Sequence, residues 1–250
     1  MASAHRAEKP GVPAVADQTG AALLAALMVL VLLSALGAGL VFSSALEVRL
    51  AANDRDLHEA RHAADAGLAL AVAELAHQSD WTAVLAGAAH ASFADGPPPG
   101  TRMLRDGSTI DLSSLESEAT CGREDGCTTA ERQAVTLDRP WGANNPAWRV
   151  FVYGPSGSLA AEPPGARDWY LVVLVGDDQA EQDDDPARDA DSGEPGNGVL
   201  ALRALALGPR GMRQRIDATV ARRPADDKSE IGTTSGVRVL SWRAVLAPNN

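Results

Sequence analysis

The chain has 250 residues, enough for one globular domain and an anchoring segment. Hydrophobic residues make up 45%, which supports a packed core and excludes wholesale disorder. The net charge of −11 repels nucleic-acid phosphates, so nucleic acid is excluded as a partner.

The first element is a segment without charge, Gln18 to Leu46, rich in Leu, Val and Ala. It exceeds the roughly 20 apolar residues needed to cross a bilayer core. It is also longer than the apolar stretch of an ordinary cleaved signal peptide. No proline follows it, and the sequence runs on through Glu47, Val48, Arg49 and Leu50. Leu46, Leu50, Leu57, Ala60, Ala64, Leu68, Ala71, Val72 and Leu75 recur at three- and four-residue steps, which predicts an amphipathic continuation of the same helix. A helix over Ala21–Gln78 is about 87 Å long at 1.5 Å per residue. Its first half fits a membrane, and its second half fits the face of a domain. His58 and His62 lie four apart in that second half and read as solvated residues, because no third metal ligand is evident.

Residues 79–129 read as loop, with Gly96, Pro97, Pro98, Pro99 and Gly100 among them. Cys121 and Cys127 bound the segment CGREDGC. They are compatible with a local disulfide, which requires an oxidising compartment such as the periplasm; the alternative is two free thiols. From Arg132 the pattern predicts strands over Gln133–Leu137, Trp148–Tyr153, Trp169–Gly176, Val199–Leu207, Arg213–Ala221 and Val237–Leu246. Met212, Gln214, Ile216, Ala218 and Val220 would share one sheet face. Trp148, Trp169 and Trp242 read as core or sheet-face packing. A long helix followed by short strands and turns predicts an α+β fold, with the helix packed on an antiparallel β-sheet.

The loop 177–198 carries Asp177, Asp178, Glu181, Asp183, Asp184, Asp185, Asp189, Asp191 and Glu194, with Arg188 as its one cation. Crowded oxygen ligands on a loop suit calcium, and Asp177, Asp178, Asp183, Asp184, Asp185, Asp189 and Asp191 are the candidate ligands of a structural ion. The spacing is not that of an EF-hand. The competing reading is a solvated acidic insertion with no ion. No other cofactor is required. The chain has no G-x-S-x-G, Walker glycine loop, H-E-x-x-H or dinucleotide fingerprint, so an enzyme is not expected.

The stretch from Thr19 to Leu75, and above all SSALEVRLAANDRDLHEARHAADAGL, resembles the amino-terminal region of PilX-type minor pilins of type IV pilus systems. GPRGMRQRIDATVARR, Gly208 to Arg223, resembles a late strand of the same family more weakly. The resemblance implies a pilin-like fold and a leader, residues 1–20, removed by a prepilin peptidase between Gly20 and Ala21, with methylation of the new amine. Residues 21–46 would then form the transmembrane and filament-core helix, 47–78 its amphipathic continuation, and 79–250 the periplasmic or extracellular domain. The chain departs from the major-pilin pattern. No phenylalanine follows Gly20, and Ala25 stands where major pilins carry glutamate. The expected role is a minor pilin that primes filament assembly or occupies its tip. Its partners would be other minor and major pilins, the prepilin peptidase, the inner-membrane assembly platform and a tip adhesin. The expected location is the bacterial inner membrane, single-pass with the amino terminus inside, then the pilus or its tip. A minor pseudopilin of type II secretion and a non-polymerising calcium-binding envelope protein are the alternatives.

Overall fold

The computed structural model describes residues 19–98, 100–159, 168–191, 193–223 and 236–245. The leader, apart from Thr19 and Gly20, lies outside the described residues. Two compact units divide at Asp54/Arg55.

The first unit is the amino-terminal part of α1 (Thr19–His77), a single helix of 59 residues. Alanine and leucine are strong helix formers, and no proline interrupts them. Gly37 and Gly39 pass without a break in the helix. Every residue from Gly20 to Arg55 is exposed, including Leu23, Leu30, Leu36 and Phe42, the last at 77%. By length and composition this helix is apolar enough to cross a membrane.

The second unit builds on the rest of α1. Ala60, Ala64, Leu68, Ala71 and Leu75 are buried at helical spacing and enter one core with Phe151, Leu171, Val173, Leu200, Leu202 and Ile216. Burying a leucine side chain contributes about 1.5–3 kcal/mol, so Leu68 and Leu75 anchor this face. The predicted stripe starts earlier than the observed one. Leu46, Leu50 and Leu57 are exposed, because the sheet-facing core takes up the helix only from Ala60. At the other end the Trp81 indole donates to the Leu75 carbonyl at 3.2 Å. Arg222 donates to the carbonyls of Gln78 and Ser79 and lies over the Trp81 ring at 4.3 Å. These groups satisfy carbonyls at and just beyond the helix end, where intrahelical donors run out.

Five strands form one antiparallel sheet in sequence order: β3 (Arg149–Pro155), β4 (Tyr170–Asp177), β5 (Val199–Leu207), β6 (Arg213–Arg222) and β7 (Val237–Val245). The predicted strand positions hold for these five to within two residues at each end. Gln214, Ile216, Ala218 and Val220 are buried in alternation along β6, with Met212 packed beside them. β4 is buried at every residue because both sheet faces are covered. α1 covers one face, and Leu112 and Leu115 cover the other together with Trp148, Val150, Tyr153, Val172 and Leu174.

That second cover comes from the region expected to be loop, which is a correction. Residues 79–129 contain α2 (Trp81–Leu85), the hairpin β1 (Thr101–Met103) and β2 (Thr109–Asp111), and α3 (Leu112–Cys121). Asp111 caps α3 by accepting from the amides of Ser113 and Ser114. The strand expected over Gln133–Leu137 is also absent. Its neighbour α4 (Thr129–Arg132) opens with a Thr128–Glu131 capping box. Asn145 then donates to the carbonyls of Arg132 and Ala134, so side chains take the place of a ladder partner. Val135 and Leu137 are left exposed. Trp148 and Trp169 are core residues. Trp242 is 40% exposed, donates to Asp65 and lies under Arg61.

Candidate functional site

Two features are candidates for function: the exposed apolar helix and the acid-rich loop between β4 and β5. In the helix, Gly20 and Ala21 lie at its exposed amino-terminal start. No Asp or Glu occurs between Ala21 and Leu46, so nothing within this apolar run would neutralise an amine at Ala21. His58 and His62 are exposed.

The loop is held in place by its own backbone partners. The Asp178 side chain accepts from the Ala180 amide, and the Asp178 carbonyl accepts from the Glu181 amide. Asp184 takes φ +61°, and its amide and carboxylate both bond the Asn144 side chain. Asp185 accepts from the Ala187 amide. The Asp189 amide donates to the Thr82 hydroxyl, and its carboxylate accepts from the Gly198 amide at 2.7 Å. Asp191 pairs with Arg188 at 2.6 Å.

These bonds turn three carboxylates inward. Asp177, Glu181 and Asp183 each bring an oxygen within 4.8 Å of the others. Asp177 is 4% exposed and Glu181 only 1%. Of the seven aspartates read as candidate ligands, Asp177 and Asp183 meet here. Asp178, Asp185 and Asp189 accept from loop amides, Asp184 accepts from the Asn144 side chain outside the loop, and Asp191 pairs with Arg188, while Asp177 Oδ1 and Asp183 Oδ1 also accept from the amides of Asp178 and Asp185. Glu181 is the member that spacing could not single out, since its burial depends on the turn at Asp178.

The electrostatics follow from that burial. Desolvation first, and then the Glu181 charge, pushes the Asp177 carboxyl up to about 8, against the Asp178 amide that favours its anion. Burial likewise pushes Glu181 up to about 7, reinforced by Asp189, Asp183 and Asp178. The Ala190 amide pulls Glu181 the other way, yet it falls outside hydrogen-bond geometry, and both Glu181 oxygens lack a donor. Asp189 is raised by burial and lowered by the Gly198 amide and Arg222. Gly196, at φ +91°, passes directly over Glu181: a Cβ there would stand 2.2 Å from Glu181 Cγ.

Cys121 and Cys127 are bonded in the structure, with Cα atoms 6.0 Å apart, between the end of α3 and the start of α4.

An α+β domain joined to a helix fit to cross a membrane is the class these features define. Residues 19–69 match the PilX N-terminal family model, which groups this segment with type IV pilus-related pilins. The matched span runs from the apolar run into the sheet-packing part of α1, and it ends before Gly208–Arg223, which forms β6 and the turn leading into it. No curated protein and no solved structure matches the chain.

Proposed function

We propose that the chain is a minor pilin that takes part in priming or tip assembly of a type IV pilus-type filament. The observation that carries this reading is the apolar half of α1, fully exposed from Gly20 onward and continuous with a helix clamped to a sheet. Exposed surface of this kind requires lipid or neighbouring apolar helices. The PilX N-terminal match over residues 19–69 supports the filament.

In this reading the leader, residues 1–20, is removed by a prepilin peptidase and the Ala21 amine is methylated. The helix over 21–46 holds the subunit in the inner membrane, amino terminus inside, and then packs among major and minor pilins. Its continuation over 47–78 and the domain over 79–250 stand outside, where the Cys121–Cys127 disulfide forms in an oxidising compartment. The assembly platform and a tip adhesin are the further partners. Ala25 in place of glutamate suits a tip or priming position, where no neighbouring amine has to be neutralised inside the bundle. Among the described residues, no helix after α1 exceeds ten residues. That favours a pilus subunit over the K-type pseudopilins, which carry a large helical insertion.

The test is N-terminal sequencing of the mature protein in strains with and without the prepilin peptidase, together with its recovery in sheared pili. The reading expects an Ala21 start only when the peptidase is present. A Met1 start in both strains removes it.

A further inference from the structure

We propose that Asp177, Glu181 and Asp183 form a calcium-binding site that pins the β4–β5 loop to the end of β4. This goes beyond the filament role and does not depend on it.

A group of acids alone would mean little, because acidic loops are usually solvated. The second observation is Glu181. It is 1% exposed, and no hydrogen-bond donor reaches either of its carboxylate oxygens. Asp183 Oδ2 is also buried without a donor. A buried carboxylate with no donor is costly, and it persists where something positive satisfies it. Among the described residues, no arginine, lysine or histidine forms an ion pair with any of the three. Arg188 is taken by Asp191, and Arg222 is directed to the end of α1.

The donor set is all oxygen, with no nitrogen or sulfur, which points to a hard cation. Each of the three carboxylates brings an oxygen to the site, and Asp177 Oδ1 and Asp183 Oδ1 also accept from the amides of Asp178 and Asp185. Calcium accepts six to eight oxygens in flexible geometry, whereas magnesium demands a near-ideal octahedron and keeps several waters. A site this closed, on a loop anchored at Asn144, Thr82 and Gly198, suits calcium. Gly196 is part of the construction: only a residue without a side chain lets the loop close over Glu181. The remaining acids of the loop stay outside the site and add only long-range attraction.

The test uses the full chain in detergent, stripped with chelator at pH 8 and titrated with calcium chloride. Calorimetry should show saturable binding of one calcium per chain, and the thermal midpoint should rise. Glu181→Gln and Asp183→Asn should both abolish the binding and the midpoint rise. Each replaces an acid by its neutral isostere, so circular dichroism should show the fold retained. Asp191→Asn, an exposed acid of the same loop, should leave both unchanged. No saturable binding at millimolar calcium overturns the proposal. So does an equal loss in all three variants, which would mean diffuse attraction to the loop. An equal response to magnesium overturns the choice of ion.

Discussion

Gly196 is the residue on which the loop's closure turns. Its φ of +91° disfavours any side chain, and an added methyl would collide with Glu181 Cγ at 2.2 Å. Gly196→Ala should therefore destabilise the protein by about 1–3 kcal/mol, read from denaturant unfolding. An unchanged midpoint would mean the loop does not sit over Glu181. At the same scale, Asp177 and Glu181 set a pH dependence. Their folded values, about 8 and about 7, lie above the ordinary carboxylate values of 3.8 and 4.5. Below about pH 4 both states hold their protons, and the pair costs nothing. Between that and about pH 8 the unfolded chain has released protons that the folded chain retains, so stability falls as pH rises. In chelator, the thermal midpoint should thus be lower at pH 8 than at pH 5, and Glu181→Gln should flatten the slope. A midpoint that climbs over this range contradicts the burial described here. Asp111 acts in another window. Its caps hold the carboxyl below its usual range, so its contribution is present above that range and lost in strong acid.

At the scale of elements, the helix-on-sheet contact makes a prediction opposite in sign. Gly67 faces β4 in the sheet-packing, C-terminal part of α1, and a Cβ there would meet Val173 Cγ2 at 3.5 Å and Leu171 Cβ at 3.7 Å, both ordinary contacts. Alanine is favoured over glycine in a helix by about 1 kcal/mol, so Gly67→Ala should raise stability by up to that amount. A fall in stability would mean that the helix lies closer to the sheet than the structure has it. The same elements show why some were legible in the sequence. The stripe from Ala60 to Leu75 and the alternation of β6 are periodic over many residues, so they read directly. α3 did not, because LSSLESEATC carries few apolar residues and its role is fixed by the sheet face it covers. Its one local signal is Asp111 ahead of two serines, a cap that looks the same in a turn. Val135 and Leu137 misled in the other direction: β-branched and apolar residues suggested a strand, but no described strand pairs with them. In the acidic loop the sequence supplied the crowd of carboxylates. Which three turn inward follows from distant partners such as Asn144 and Thr82, which local spacing cannot reveal.

At the scale of the molecule, the chain divides its stabilising forces. The domain buries its own apolar surface, with Trp81, Phe151 and Leu174 almost wholly enclosed. Among the described residues, nothing buries the helix from Gly20 to Arg55. Placing one charge in that run separates the two roles. Leu32 lies near the centre of the apolar segment, where an arginine costs about 2.5–3.5 kcal/mol of insertion free energy and a leucine is slightly favourable. Leu32→Arg should shift the protein from the carbonate-resistant membrane fraction to the soluble fraction and remove it from sheared filaments. Circular dichroism of the recovered protein should still show the sheet, because no residue of the domain core lies within Gly20–Arg55. Retention in membranes would mean that something other than this helix holds the chain there. Loss of the sheet would mean that the domain depends on the apolar half for its own folding.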